Sequence, residues 1–352
     1  LSVGVYLGTS AIFQILVGPL SDRIGRRTVS LWALIIFIVV SISCVYAPNT
    51  FVFMFLRALQ AIAACTFVVA RAIVRDTTET QESGSKIAYI SMGTAICPMF
   101  GPALGGLMDG WFGWEANFWF IGGLGLFILI IAYFDLGETV PENTQGFRQQ
   151  FSEYPELLLS RRFWGYCLAS AFGAGAFFAY LGGGPFVGSI VYNLSPEMLG
   201  LYFGAPAIGY FFGNFLSGRF TIRFGIDAMI LWGLWIIFAG LSLSMVCSYL
   251  GYGTVETFFG FMIFVGLGNG LTIPNATAGM LSVRPHLAGT ASGLGGAMMI
   301  AIGAALSTLA GAFLVPGSNE MPLLMLMWFS SLSGVAVIIY VGQRNKKLKK
   351  SV

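Results

Sequence analysis

Charge is scarce in this chain. Acidic and basic residues together make up 9% of its 352 residues, against roughly 25% in a soluble domain. With 57% hydrophobic residues and a mean hydropathy of +0.81, that scarcity excludes an ordinary soluble fold. Cysteine is thin and scattered: Cys44, Cys65, Cys97, Cys167 and Cys247 each stand inside an apolar run, with no CxxC spacing. They read as free, buried thiols, and neither a metal site nor a disulfide framework is expected. The one histidine, His286, sits beside Pro285 in a connection. HExxH, GxSxG and P-loop patterns are missing, as is any embedded acid–base pair, so the chain does not read as an enzyme and no cofactor or nucleic-acid partner is expected. The fifteen Asp and Glu residues all lie at the ends of apolar runs or in connections, Asp109, Glu115 and Asp135 coming nearest to a run.

What the chain has in abundance is apolar length. A helix needs roughly 20 mostly apolar residues to cross a bilayer. Eleven such runs occur, near 1–20, 29–48, 51–73, 85–108, 114–135, 163–187, 198–218, 228–249, 255–281, 287–314 and 321–342. Gly and Pro recur inside them, as membrane helices tolerate. Seventeen of the eighteen basic residues lie on one side, in alternate connections, at the run ends beside them (Arg71 and Lys86) and in the tail from Arg344 to Lys350; the eighteenth, Arg57, lies inside a run. The positive-inside rule makes the basic side, and with it the C-terminus, cytoplasmic.

An internal repeat is also visible. "LSDRIGRR" at 20–27 resembles "LSGRFTIRFG" at 216–225, 196 positions on, and both follow an outer connection and one span. Shifted back by that offset, the 163–187 run falls before residue 1. The expectation is an all-α membrane protein of two six-helix repeats with eleven of twelve helices present, a true eleven-span protein being the alternative. Residues 1–137 would form the first bundle, 138–162 a cytoplasmic linker, 163–343 the second bundle and 344–352 a basic tail.

Parallel six-helix repeats are the architecture of the major facilitator superfamily, and particular residues carry a resemblance to it. "GPLSDRIGRR" resembles that superfamily's cytoplasmic loop signature, G-x-L-x-D-R-x-G-R-R, through Gly18, Leu20, Asp22, Arg23, Gly25, Arg26 and Arg27. Physically such a turn suits a latch. Gly18 allows a close helix approach and Gly25 a tight turn. Asp22 is placed to meet the positive end of a helix dipole in the other half. Arg26 is placed to reach Asp76 in "VRD" at 74–76. Such pairs would form when the cytoplasmic side closes and break when it opens; a plain topology-setting basic loop is the simpler alternative.

Within the third run, Arg57 and Gln60 share a helix face. "RALQA" resembles the superfamily's second motif, whose arginine is implicated in proton transfer, with Ala61 replacing the usual glycine; a structural pair with an outward-snorkelling Arg57 is the alternative. "CPMFGPALGGLMDG" carries G-P-x-x-G-G in Gly101, Pro102, Gly105 and Gly106, the motif of the antiporter branches. Pro98 and Pro102 would kink the helix and the glycines would offer a flat packing face, which ordinary small-residue packing also explains. "RAIVRDTTE", "GWEANFWF", "GETVPE" and "PHLAGTASGLGGAMMIAIGAALS" resemble the Bcr/CflA drug-resistance branch, with Glu115 standing where that branch commonly has a basic residue.

That resemblance implies a bacterial inner-membrane drug:proton antiporter, working by alternating access on chloramphenicol- or bicyclomycin-type amphiphiles. It also implies a central cavity, for which Phe177, Tyr180, Tyr202, Asn269 and Asn275 are the candidates; the amides could equally bond helix to helix. A monomer surrounded by lipid is expected; the Lys-rich end reads as a stop-transfer flank, with contact to anionic headgroups the alternative. The coupling carboxylate has no candidate in the apolar runs, and the resemblance puts one in the helix ahead of residue 1. The serious rival is a nutrient or metabolite symporter or uniporter of the same fold. A channel fits the latch turn less well, and a sensor has only twelve residues after Tyr340 to signal with.

Overall fold

The computed structural model describes residues 2–77, 101, 104–139, 155, 158–283, 288–315 and 317–350. Among the described residues there are helices and connections and no strand. In chain order these are α1 (Ser2–Ile24), α2 (Arg26–Val45), α3 (Thr50–Gln60), a 3₁₀ turn (Ala61–Ala63) and α4 (Ala64–Thr77). Then come α5 (104–112) and α6 (Glu115–Asp135). The second half holds α7 (Arg161–Phe186), α8 (Pro196–Phe203), α9 (Ala205–Phe224), α10 (Ile226–Tyr249), α11 (Val255–Val283), α12 (Ala288–Phe313) and α13 (Met321–Lys350).

Eight helical segments among the described residues are long and apolar enough to cross a membrane. The three other runs read from the sequence fare differently. Run 1–20 lies in α1, which is helical but diluted by Gly, Thr, Ser and Gln. Run 85–108 falls mostly outside the described residues, and run 198–218 is divided at Gly204 between α8 and α9. Local chemistry starts several helices: Asn49 accepts from the Val52 amide at 2.9 Å, Ser160 from Phe163 at 3.3 Å and Ser195 from Met198 at 3.4 Å. Each satisfies an amide that the first helical turn leaves free. The 3₁₀ turn breaks the α3–α4 rod directly after Gln60, and Pro185 near the end of α7 is followed by a π turn over Val187–Val191. Both are the local departures that commonly mark working parts of a helix.

Lipid supplies no hydrophobic drive between helices, so close packing must. The C-terminal half shows how. Gly209 and Gly213 of α9 lie on the backbone of Ile263 and Leu267 in α11, while Gly266 lies on Pro206 and Gly270 on Tyr210 and Asn214; a Cβ at any of the four would strike main chain. Gly233 of α10 and Gly268 of α11 meet in the same way. Around this frame α7 packs on α11, α12 and α13, enclosing a core that includes Phe163, Tyr166, Ile230, Leu234, Phe258 and Phe259. In the N-terminal half α2 packs on α6 and α1 on α3 and α4. The halves meet along α1 and α12, where Gly4 abuts Thr308 and Gly8 faces Ala304, and where α5 touches α8.

The repeat is visible in the backbone. Gly25 and Gly225 both precede a helix with φ of +107° and +83°, the left-handed region that glycine alone enters freely. Leu20–Arg23 match Leu216–Arg219 at an offset of 196, but Gly25 and Gly225 are 200 apart. Arg23 and Arg223, each two residues before its glycine, share that offset of 200, so at the turn the halves correspond at 200 rather than 196.

Candidate functional site

The cytoplasmic turn is held by contacts that the sequence does not announce. Arg26 is 2% exposed, and its guanidinium Nη1 donates to the Ser21 hydroxyl one turn back. Its backbone amide donates to Glu138 Oε1 at 2.8 Å, and the Thr139 amide donates to the same oxygen at 3.0 Å. The Glu138 carboxyl lies against Gly25. Arg27 donates from Nη2 to the Tyr133 carbonyl at 2.9 Å and stacks on that ring at 5.5 Å. Arg23 is exposed. Gly18 and Asp22 lie within α1 and Asp76 within α4, but their side chains fall outside the described residues. Glu138 was quoted in "GETVPE" without a role; only the fold brings it 112 positions back to Arg26.

A second cluster lies within the spans. Arg57, on α3, donates to Gln60 Oε1. Gln60, 1% exposed, donates from Nε2 to Ser41 Oγ on α2 at 2.8 Å, and Ser41 donates to the Phe37 carbonyl at 2.6 Å. The guanidinium stands over the rings of Tyr6 at 5.0 Å and Phe118 at 5.8 Å. A cation in such a place is costly unless it is paired with polar groups or ring faces. Here α3 brings the Gln60 amide and α1 and α6 the two rings, while Ser41 of α2 fixes Gln60. Tyr6, Ser41 and Phe118 were not legible as site residues, since an aromatic or a serine in an apolar run is ordinary composition.

Of the antiporter-type glycines, Gly106 lies directly on the Pro196 carbonyl and the Gly200 backbone of α8, so α5 and α8 touch main chain to main chain. Four residues on, Gly110 lies under the Glu197 side chain. Gly105 faces Asn117, whose Nδ2 donates to the Gly105 carbonyl at 3.2 Å. Gly101 is helical and exposed, and Pro98 and Pro102 lie outside the described residues. Outside the spans, Glu197 has its carboxyl held below the ordinary glutamate range by hydrogen bonds from the Ser195 hydroxyl and its own backbone amide.

The five cavity candidates divide into two places. Tyr180, fully buried, stacks on Phe203 at 4.5 Å and donates to the Phe203 carbonyl at 3.2 Å; Phe177 lies beside it and half-buried Tyr202 packs on Phe259 at 5.6 Å. These rings form one aromatic cluster between the last turns of α7, the end of α8 and the start of α11. Asn275 sits toward the other end of α11. It donates to Ser217 Oγ and to the Leu271 carbonyl, each at 2.7 Å, and accepts from Thr221 Oγ1 at 2.9 Å. That makes it a filled strut between α9 and α11. Asn269 lies between the two, 3% exposed, with its Oδ1 and the nearby Thr272 Oγ1 buried without a partner among the described residues.

Among the described residues no group of His, Cys, Asp and Glu could hold a metal. The chemistry on view is a fixed interior cation, a capped charged turn and close glycine seams between two halves, which suits movement of a solute rather than bond cleavage.

Comparison with known proteins agrees. A chloramphenicol resistance protein of Pseudomonas aeruginosa is 32% identical over 86% of this chain and 73% of its own. Multidrug resistance protein D of Escherichia coli (strain K12) is 27% identical over 96% of this chain and 84% of its own, and a bicyclomycin resistance protein homolog of Haemophilus influenzae is 26% identical over 96% and 85%. In fold, the chain is similar to a bacterial homologue of the human lysosomal transporter Spinster, with a TM-score of 0.64 and 19% identity over 97% of this chain and 87% of that one. The family model of the Major Facilitator Superfamily matches residues 1–308, and with the all-helical fold it shows that this chain belongs to that superfamily: a multi-pass membrane transporter, not an enzyme.

Proposed function

We propose that the protein exports small amphiphilic drugs across a bacterial inner membrane in exchange for protons, by alternating access between two bundles, 1–137 and 163–343. The observation that carries the coupled reading is Arg57, a guanidinium inside the spans, joined through Gln60 to Ser41 and faced by Tyr6 and Phe118. A fixed interior positive charge lowers the cost of a carboxylate elsewhere in the cavity and responds to that carboxylate's protonation. The drug assignment is supported by the printed names of the relatives, each of which refers to resistance. An aromatic face of half-buried Phe177 and Tyr202, backed by buried Tyr180, with Asn269 offering an acceptor that is unfilled among the described residues, suits amphiphiles better than sugars, which need dense hydrogen bonding.

In this reading the basic turn and the tail are cytoplasmic, the chain works as a monomer in lipid, and Asp22, Arg26 and Asp76 form the latch. The test is drug efflux from cells expressing the gene, with and without a protonophore, using chloramphenicol-like compounds and cationic dyes. Efflux that stops with the protonophore, and is lost in Arg57→Ala, supports antiport. Absence of efflux under both conditions overturns it in favour of a nutrient or metabolite transporter.

A further inference from the structure

Two turns with the same backbone open α2 and α10, and they are capped differently. Each begins at a glycine of positive φ, Gly25 or Gly225, and neither has a side-chain cap of its own. That lack is forced. The position requires glycine, and glycine has no side chain with which to satisfy the free amides of the next turn. At α2 a carboxylate from elsewhere does so: Glu138 accepts from the Arg26 amide and lies against Gly25. At α10 no described residue lies within 4 Å of the space a Cβ would take at Gly225, and Asp227 in the first turn accepts from the Tyr166 hydroxyl at 2.8 Å. Among the described residues the second turn has no acid resting on its glycine, yet it has the same backbone.

We infer that Glu138 is a positioning residue of the transport cycle: it fastens the 20–27 turn to the end of α6 and so sets where the Arg26 guanidinium stands. Three contacts make the fastening, namely the Glu138 bond to the Arg26 amide, the Glu138 carboxyl on Gly25, and Arg27 on the Tyr133 carbonyl and ring. All come from the last turn of α6 or the four residues after it. The negative charge also sits at the positive end of α2, where a carboxylate is favoured. With the turn fastened, α1, α2 and α6 move together and Arg26 keeps its buried place beside Ser21. Without it, the turn is held to α6 only by Arg27 on Tyr133 and by the packing of α2, and it gains freedom to move against the end of α6.

The experiment uses the full chain in lipid vesicles, with spin labels on Arg23→Cys and Asp135→Cys in a background whose native cysteines are replaced. The distance distribution between the labels is narrow with Glu138 present and broadens in Glu138→Ala. Glu138→Gln, which keeps an acceptor oxygen but not the charge, gives an intermediate width. Drug export in the same variants falls about tenfold in Glu138→Ala, the size expected for losing one hydrogen bond to a charged group, with the apparent KM within twofold. An unchanged distribution in Glu138→Ala overturns the inference; should that variant fail to fold, an unchanged distribution in Glu138→Gln together with native export does so. The rate readout rests on the proposed export function, whereas the distance readout does not. A protein that exports no drug still decides the positioning role by the labels.

Discussion

Gly106→Ala is the perturbation whose effect follows most directly from the geometry. A Cβ there would lie 2.5 Å from the Pro196 carbonyl oxygen and 2.8 Å from the Gly200 Cα. Both obstacles are main chain, so no rotamer change relieves the clash; α5 and α8 must separate. Overpacking of this kind costs about 1–3 kcal/mol. The seam joins the two halves, so the cost falls only on the state in which it is closed. The equilibrium between closed and open seam then shifts by about 5- to 150-fold toward open. The assay is thiol labelling of a cysteine placed at Met198, which is exposed on α8 beside the seam, compared with drug export in the same protein. Labelling rises and export falls, because a seam that resists closing stalls one half of the cycle. Gly123→Ala is the control, since no described residue lies within 4 Å of the space its Cβ would fill. Labelling and export equal to the native protein in Gly106→Ala would refute the reasoning and reduce the glycine to a tolerant packing position.

Gln60→Ala strips Arg57 of its amide acceptor and Ser41 of its donor, both deep in the spans. A loss on the order of 1–3 kcal/mol is expected, read as a lowered thermal midpoint in detergent together with weakened proton-driven export. Asn275→Ala breaks the bonds to Ser217 and Thr221 and lowers the midpoint by the smaller amount typical of interhelical bonds in membranes, about 0.6–2 kcal/mol; drug affinity changes little if the residue is a strut. Glu197 is held below the ordinary glutamate value of 4.5. Its contribution is therefore fully present above that value and lost as pH falls through the lowered one. Ser195→Ala moves the loss to higher pH, measured as seam labelling against pH.

Much of this protein was legible along the chain, because the signals are local. The length of apolar runs in a bilayer, the sidedness of Lys and Arg, and the spacing of Gly25, Arg26 and Arg27 need no partner to be read. Arg57 and Gln60 were legible as a pair because three residues along a helix is a single face. The repeat was legible too, at an offset of 196; the two positive-φ glycines, Gly25 and Gly225, are 200 apart.

Tertiary structure alone decided the partners. Glu138 meets Arg26 across 112 positions and Asn275 meets Ser217 across 58, distances over which composition carries no information. Asn269 and Asn275 look alike in the sequence, six residues apart on one helix, yet Asn275 is a filled strut and Asn269 keeps a buried oxygen unmatched among the described residues. Gly106 and Gly105 are neighbours in one motif, but only Gly106 lies on the backbone of the other half, because a helix turns about 100° per residue and a seam accepts one face. The chain's own chemistry therefore determined that it spans a membrane as a doubled bundle with a charged turn. Which glycine is a seam, which amide a strut and which acid a clasp was settled when distant helices came within van der Waals reach.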